Sequence, residues 1–598
     1  MAIPDSPISL ADINGDINFS VKHGLQSDNI SGTFWQQPLT ATLYKADDGQ
    51  KLALKTDIEP QSLSQLVAFP WADVLIGNMA IEGLLNIPPV ASGKSVTLDI
   101  VSQLQGTEVR LPQPLALPAE EQRAMDISVS FNPALYQIKA QFGEKLKADM
   151  YFTEGALSQG LVTYDRTDVA VQADELLLAA YLPTAEWALW EPVVALFAVD
   201  QDGQKRLRLS PVFDLDFDYL DLATFRLNDV NARVSLVGDS TEIRFATDLA
   251  DGLLVLDTDR QQVPMVNLSR LSLPNELLQQ KVDQQSIDPR AFFALDLSID
   301  QLSIGNKGWG SIAFELRPEV SGAAFNNIKG ELLGLRPGLF DDQPATEFFW
   351  SFDGSAHNSR LVGPVGVGNL GDMFDRFDID KVLDSKTGRL VFDLSWQDKP
   401  WLLSRDNIRG DFQIELADGS FYKSAGGASG ALKLVSLFNF ANWLRRLQLD
   451  FSDVVGQNLA FNDLAGTLHF DNGVASLRDP LKMNMPSGRM SMAGDFDLVN
   501  ETVDTRLVAT LPVATNLPWL VALMGGLPAA AGVFVTSKLV EKQVDRLSSI
   551  SYDVTGPWDD ITVAVDQIFA AELKAQVVEE KPAEAMSEEA VAEPTPDQ

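Results

Sequence analysis

Carboxylates are the residues of this chain best placed to do chemistry. Asp214, Asp216 and Asp218 alternate with Phe213, Leu215, Phe217 and Tyr219, which puts three carboxylates on one face of a strand. Calcium takes roughly six to eight oxygens, yet strand residues two apart lie about 6.6 Å from each other. No glycine turn of the EF-hand kind gathers these three, so the spacing predicts a solvated strand face. Asp372, Asp375, Asp378 and Asp380 read in the same way, as the wet side of a helix and the loop after it. With 83 Asp and Glu residues, carboxylate pairs of the glycosidase kind are numerous but none is singled out. Gly366-Val367-Gly368-Asn369-Leu370-Gly371 matches GxGxxG, but the dinucleotide fingerprint needs a βαβ unit and a parallel sheet. Here the flanking pattern is antiparallel, so these glycines are expected to form a linker into a helix. The three histidines, His23, His357 and His469, lie far apart, no GxSxG elbow occurs, and there is no cysteine. The expectation is a protein with no catalytic residues, no metal site and no cofactor.

Composition narrows the partners. The 598 residues carry a net charge of −37, and no basic stripe appears, which argues against a nucleic-acid partner. Hydrophobic residues make up 45%, enough to bury a core over most of the length. A length of this kind implies roughly three to five domains unless the fold is an extended repeat. The N-terminal stretch, MAIPDSPISLADINGD, has neither a basic region nor an apolar one, so no signal peptide or membrane anchor is expected there. Residues 576–598 are rich in Glu and Pro and are expected to form a disordered acidic tail.

The elements that must carry any site are strands. Leu468 and Phe470 point one way, opposite Thr467 and His469, and Asn472-Gly473 supplies a type I′ turn. Leu481, Met483 and Met485 then share a face, followed by Met490, Met492, Phe496 and Leu498 on the next strand. This alternation predicts an antiparallel meander with one apolar and one wet side. A motif of Asp or Asn, apolar, any, Gly, any, apolar recurs at Asp12–Ile17, Asn29–Phe34, Asn327–Leu332, Asn407–Phe412 and Asp463–Leu468. Its glycine is expected to let a strand bulge or bend. Helical patterns are few: Ala431–Gln448, Asn369–Leu383 and a pair within Pro518–Leu547. So much half-apolar sheet with so little helix leaves two solutions: sheets covering each other, or one long coiled sheet whose apolar face lines a groove.

Leu507–Ser537 has no charged residue, but Pro512, Pro518, Pro528 and Gly525-Gly526 interrupt it, so a full span is not expected, and either a buried helical plug at the end of the sheet or a shallowly inserted gate fits the pattern. Phe438, Phe440, Trp443, Arg445 and Arg446, with Trp519, Leu520, Leu523 and Phe534, are the candidates for a membrane-facing or gating element. Leu468, Phe470, Met483, Met485, Met490, Met492 and Phe496 are the candidates for lining such a groove, where flexible thioethers suit irregular aliphatic partners.

Leu394-Ser395-Trp396-Gln397-Asp398-Lys399-Pro400, Ile408-Arg409-Gly410 with Ala417-Asp418-Gly419, Leu444 to Val454, and Tyr552-Asp553-Val554-Thr555-Gly556-Pro557-Trp558 follow one another in that order. Through them residues 298–565 resemble the YhdP branch of the AsmA-like envelope proteins. The resemblance implies a mainly β fold: a long coiled antiparallel repeating β-groove with a few short helices near the C-terminus. The expected organisation is groove repeats over 1–115 and 116–300, a C-terminal β region over 301–575 containing helices 431–448 and 518–547, and the tail. The resemblance further implies a periplasm-facing protein of a Gram-negative envelope that moves phospholipid between inner and outer membranes, supports outer-membrane integrity and performs no enzymatic step. Its expected partners are phospholipid acyl chains, a membrane surface, and a membrane-anchored N-terminal half or partner protein. Relatives normally begin with an inner-membrane helix and are about twice as long, so this chain is expected to correspond to their C-terminal part. The alternative from a different class is a secreted or envelope β-rich protein, carbohydrate-active or adhesive, whose apolar faces pack together.

Overall fold

Strands follow one another with almost no helix between them in the computed structural model. It describes residues 10–59, 62, 74–132, 135–154, 156–195, 209–222, 225–257, 262–275, 287–340, 344–377, 381, 383–422, 459–486, 488–510, 549–568 and 573. The expected helices 431–448 and 518–547 and the acidic tail lie outside the described residues. Two units are distinguished, Met1–Gln279 with Asp296–Lys307, and Gln280–Leu295 with Gly308–Gln598, and each is described by itself.

The first unit begins as an antiparallel meander. Gly24–Phe34, Gln37–Ala46, Gly49–Ile58, Met79–Ile87, Val96–Ser102, Met125–Phe131, Leu135–Phe142, Leu146–Thr153 and Ala156–Tyr164 each pair with the next. Leu176–Glu186 then pairs in parallel with both Ala156–Tyr164 and Pro211–Leu222. A parallel join cannot be made by a tight hairpin. The chain supplies the longer path with a helix, Trp187–Ala195, in the second of these connections. That helix was not legible in advance, because Pro192 sits inside it and its apolar residues run all round. Antiparallel pairing resumes through Phe225–Val237, Ser240–Ala246, Ala250–Asp257 and Met265–Leu273, and a third parallel pair adds Leu295–Ile304.

The second unit continues the same logic. Lys307–Glu319, Gly322–Leu332, Thr346–Phe352, His357–Val367, Leu383–Trp396, Ile408–Phe421, Leu459–Asp471, Val474–Met485, Gly488–Asp497, Thr502–Thr510, Ser549–Pro557 and Thr562–Ile568 pair antiparallel in chain order. Asn472 and Gly473 have φ of 49° and 79°, the left-handed pair that a type I′ turn demands. Each unit is therefore a mainly β, coiled sheet, one of the two solutions left open by the alternation, and among the described residues the pairing is antiparallel apart from three parallel joins.

The recurring glycine motif marks irregularities. Register shifts fall at Ala11/Asn14, Ser27/Ile30, Phe325/Ile328 and Ala465/Thr467, within or beside four of its five copies. In the fifth, Gly410 has φ of 113°, and a Cβ there would stand 2.0 Å from the Asp393 carbonyl oxygen. Glycine serves here because the neighbouring backbone passes where a side chain would begin.

Candidate functional site

Alternation along these strands produces two unlike faces, and their burial changes along each unit. In the first unit the early strands bury their apolar face: Phe34, Leu54, Ile81, Leu98, Val129, Tyr136 and Phe152 belong to one packed cluster. Further along, the cover thins. Leu178, Phe213, Val234, Ile243, Leu254, Val266 and Leu297 stand opposite one another across seven strands, forming a single cross-strand row. Every member of that row is half-buried. Beside it runs Ala180, Leu215, Ala232, Phe245, Gly252, Leu268 and Ile299, in the same register. The first row is an apolar strip neither packed nor fully exposed, whereas the second ends in buried Leu268 and Ile299.

The second unit shows the reverse order. Its early strands carry half-buried Phe325, Phe348 and Leu361 opposite one another. Phe325 lies with ring centroids 5.3 Å from Phe314 and 5.8 Å from Phe348. Leu390 faces Ile414 and Phe392 faces Phe412, again half-buried. Beyond Phe412 the same row enters a closed block: Phe412 faces Leu468, and Leu468 faces Leu477.

That block is where the sequence-derived lumen candidates lie. Met483 faces Met490, Ala475 faces Phe496, and Phe470 faces Ala475. Met483, Met492 and Phe496 have no measurable exposure, and Leu468, Phe470 and Met490 are buried with them in one cluster. Met485 packs against the cluster, half-buried. Alternation in the sequence reports which side of these strands is apolar and not how far that side is covered, so the half-buried stretches were not legible in it. The membrane-facing candidates Phe438, Phe440, Trp443, Arg445, Arg446, Trp519, Leu520, Leu523 and Phe534 lie outside the described residues.

The opposite face is held by ion pairs. Asp214, Asp216 and Asp218, which share a strand face as the alternation predicts, are each engaged. Asp216 pairs with Arg166 and accepts from Asn231, Asp214 lies 3.8 Å from Arg233, and Asp218 accepts from the Tyr181 hydroxyl at 2.9 Å. Two forked pairs lie elsewhere in the sheet, Arg270 with Asp251 on this face and Arg226 with Asp221 at the strand end beside Tyr219. Arg226 donates to Asp221 from 2.6 Å, and Arg270 to Asp251 from 2.7 Å, and in each pair the guanidinium holds the carboxyl below its ordinary range. In the second unit Arg360 lies 2.9 Å from Asp393, while Asp411 takes both His469 at 2.8 Å and Arg478 at 3.1 Å. A groove of ≈ 630 Å³ also lies on the wet face of the first unit, between side chains such as Asp126, Lys139, Lys147 and Asp149. Its lining mixes these charged side chains with Val101, Leu161 and Val169.

The other sequence candidates resolve structurally. Among the described residues no group of His, Cys, Asp or Glu is arranged to hold a metal ion. Gly366 lies in an antiparallel strand, and the helix after it, Leu370–Arg376, is capped by Asn369 accepting from Asp372 N at 2.9 Å. Asp384 accepts from Gly371 N at 3.1 Å, so a carboxylate already occupies the place a phosphate would take. The helix ends seven residues earlier than the expected Leu383. No helix among the described residues is long and apolar enough to cross a membrane.

Comparisons with known proteins agree with this geometry. The family described as YhdP protein matches residues 1–563. The intermembrane phospholipid transporter YhdP of Escherichia coli (strain K12) is 20% identical over 585 residues, which cover 92% of this chain and 44% of that protein. The chain thus spans less than half the length of the curated relative it matches. No solved structure matches it.

Proposed function

The chain belongs to the YhdP protein family, and from that premise we propose that it carries phospholipid between membranes by seating acyl chains on its half-buried apolar rows. The observation that carries this reading is the row Leu178, Phe213, Val234, Ile243, Leu254, Val266 and Leu297. Each methylene moved from water onto such a face contributes about 0.8 kcal/mol, and the gain is non-directional, so a chain gains little by stopping at any one strand. Headgroups stay in water while the tails lie on the sheet. Movement of this kind makes and breaks no covalent bond, so the function is non-enzymatic. Within the second unit the buried candidates Met483, Met490, Met492 and Phe496 share one core with half-buried Phe392 and Phe412, and close that unit's own row. The setting is a Gram-negative cell envelope, facing the periplasm, where lipid delivery sustains the outer-membrane barrier. A membrane-anchored N-terminal half or partner protein is the further partner in this reading. Nothing among the comparisons supports the carbohydrate-active or adhesive alternative.

The test is photo-crosslinking. A photoreactive residue at Val234 should capture phospholipid, identified by mass spectrometry, whereas one at Arg233, on the opposite face, should not. Equal capture at both positions, or none at Val234, would overturn the reading.

A further inference from the structure

The loop joining Leu383–Trp396 to Ile408–Phe421 presents Trp401, Leu402 and Leu403 to solvent at 53%, 37% and 51% exposure. Three consecutive large apolar side chains in that position are not a loose excursion. The loop is built. Trp396 Nε1 donates to the Lys399 carbonyl at 3.0 Å, Leu402 N donates to the same oxygen at 3.0 Å, and Asn407 Nδ2 donates to the Leu402 carbonyl at 3.0 Å. Arg405 ties it sideways to the 498–501 turn, through Glu501 at 2.8 Å and the Leu498 carbonyl at 3.3 Å. That turn exposes Val499 at 59%. On the other flank Trp401 packs edge-on against Trp350 at 5.5 Å, and Trp350 against Phe292 at 5.7 Å, next to exposed Phe293. Antiparallel meandering places these loops along one edge of the second unit, which therefore presents Trp401, Leu402, Leu403, Val499 and Phe293 to solvent.

Charge selects the occupant. Lys399 is buried and Arg405 is paired, while Asp406 is exposed and Asp398 half-exposed beside the apolar tip. The Ser404 hydroxyl beside Asp406 holds its carboxyl below the ordinary range. An apolar tip flanked by carboxylates repels anionic lipid and accepts a surface whose outermost groups are ammonium. We propose that this edge docks on a zwitterionic bilayer surface, with Trp401, Leu402 and Leu403 inserted at headgroup depth. The choice of a bilayer over another occupant rests on the lipid-carrying reading above.

Because the chain has no cysteine, Leu403→Cys accepts a single environment-sensitive dye. The dye should shift to the blue on adding phosphatidylcholine vesicles, and markedly less with phosphatidylglycerol vesicles. In flotation, the combined variant Trp401→Ser, Leu402→Ser and Leu403→Ser should lose at least about tenfold in phosphatidylcholine binding. Trp401→Phe should retain it, and Asp398→Asn with Asp406→Asn should raise phosphatidylglycerol binding. No blue shift, or flotation unchanged in the triple variant, overturns the proposal. Lipid capture at Val234 in the triple variant tests the carrier reading separately, so loss of docking with capture intact would support docking by this edge and leave that reading standing.

Discussion

Met492 stands directly opposite Leu507 across two antiparallel strands, and neither side chain has any exposed surface. Leu390 and Ile414, paired in the same way several strands earlier, are both half-buried. One apolar face is therefore core at one place and surface at another. Met492→Ala should cost about 2–5 kcal/mol of unfolding free energy in urea, the range for emptying a closed site. A cost below 1 kcal/mol would mean that the block is not packed.

The half-buried rows should respond in function before stability. Ile243→Asp and Phe392→Asp should cut bound phospholipid several-fold, because a carboxylate on an acyl-binding face is left unpaired. Their urea midpoints should move far less than that of Met492→Asp. Lipid content equal to wild type in both variants would remove these rows from the proposed path.

Gly410→Ala should destabilise the second unit by about 1–3 kcal/mol or more, since its φ of 113° and the 2.0 Å approach to the Asp393 carbonyl both oppose a Cβ. Gly308→Ala, where nothing lies within 4 Å, should change stability by less than about 0.5 kcal/mol. Equal effects at the two sites would sink the argument.

Acid should act on the turn at Asp353. Its carboxylate accepts from Ser355 N at 2.8 Å, Ser355 Oγ at 2.9 Å and Ala356 N at 2.8 Å, which lowers its pKa from 3.8 to about 2. A depressed acid stabilises the folded turn above its unfolded value of 3.8, and that contribution is lost as the pH falls through about 2. Carboxyl carbon NMR should place the midpoint near 2. A midpoint at the ordinary value would show that the turn does not hold the charge.

Calcium should find no site at Asp214, Asp216 and Asp218, whose oxygens already serve Arg166, Arg233 and Tyr181. Calorimetric titration should show no saturable heat. A saturable signal abolished by Asp216→Asn would contradict the ion-pair reading.

Much of this protein was determined locally. Period-two alternation around Met483 and Met490 names the apolar face, Asn472-Gly473 names its turn, and the glycine motif marks where strands bulge or meet a neighbouring backbone. These are properties of a few adjacent residues, so the chain itself states them. Cover is not such a property. Whether Phe213 is half-buried and Phe496 wholly buried depends on what other segments lie above each, and no periodicity encodes that. The parallel joins of Leu176–Glu186 and the approach of Trp401 to Trp350 likewise depend on chain paths between residues far apart in sequence. The sequence determined which side of the sheet is apolar; tertiary structure alone decided where that side remains open, because burial is a relation between distant segments.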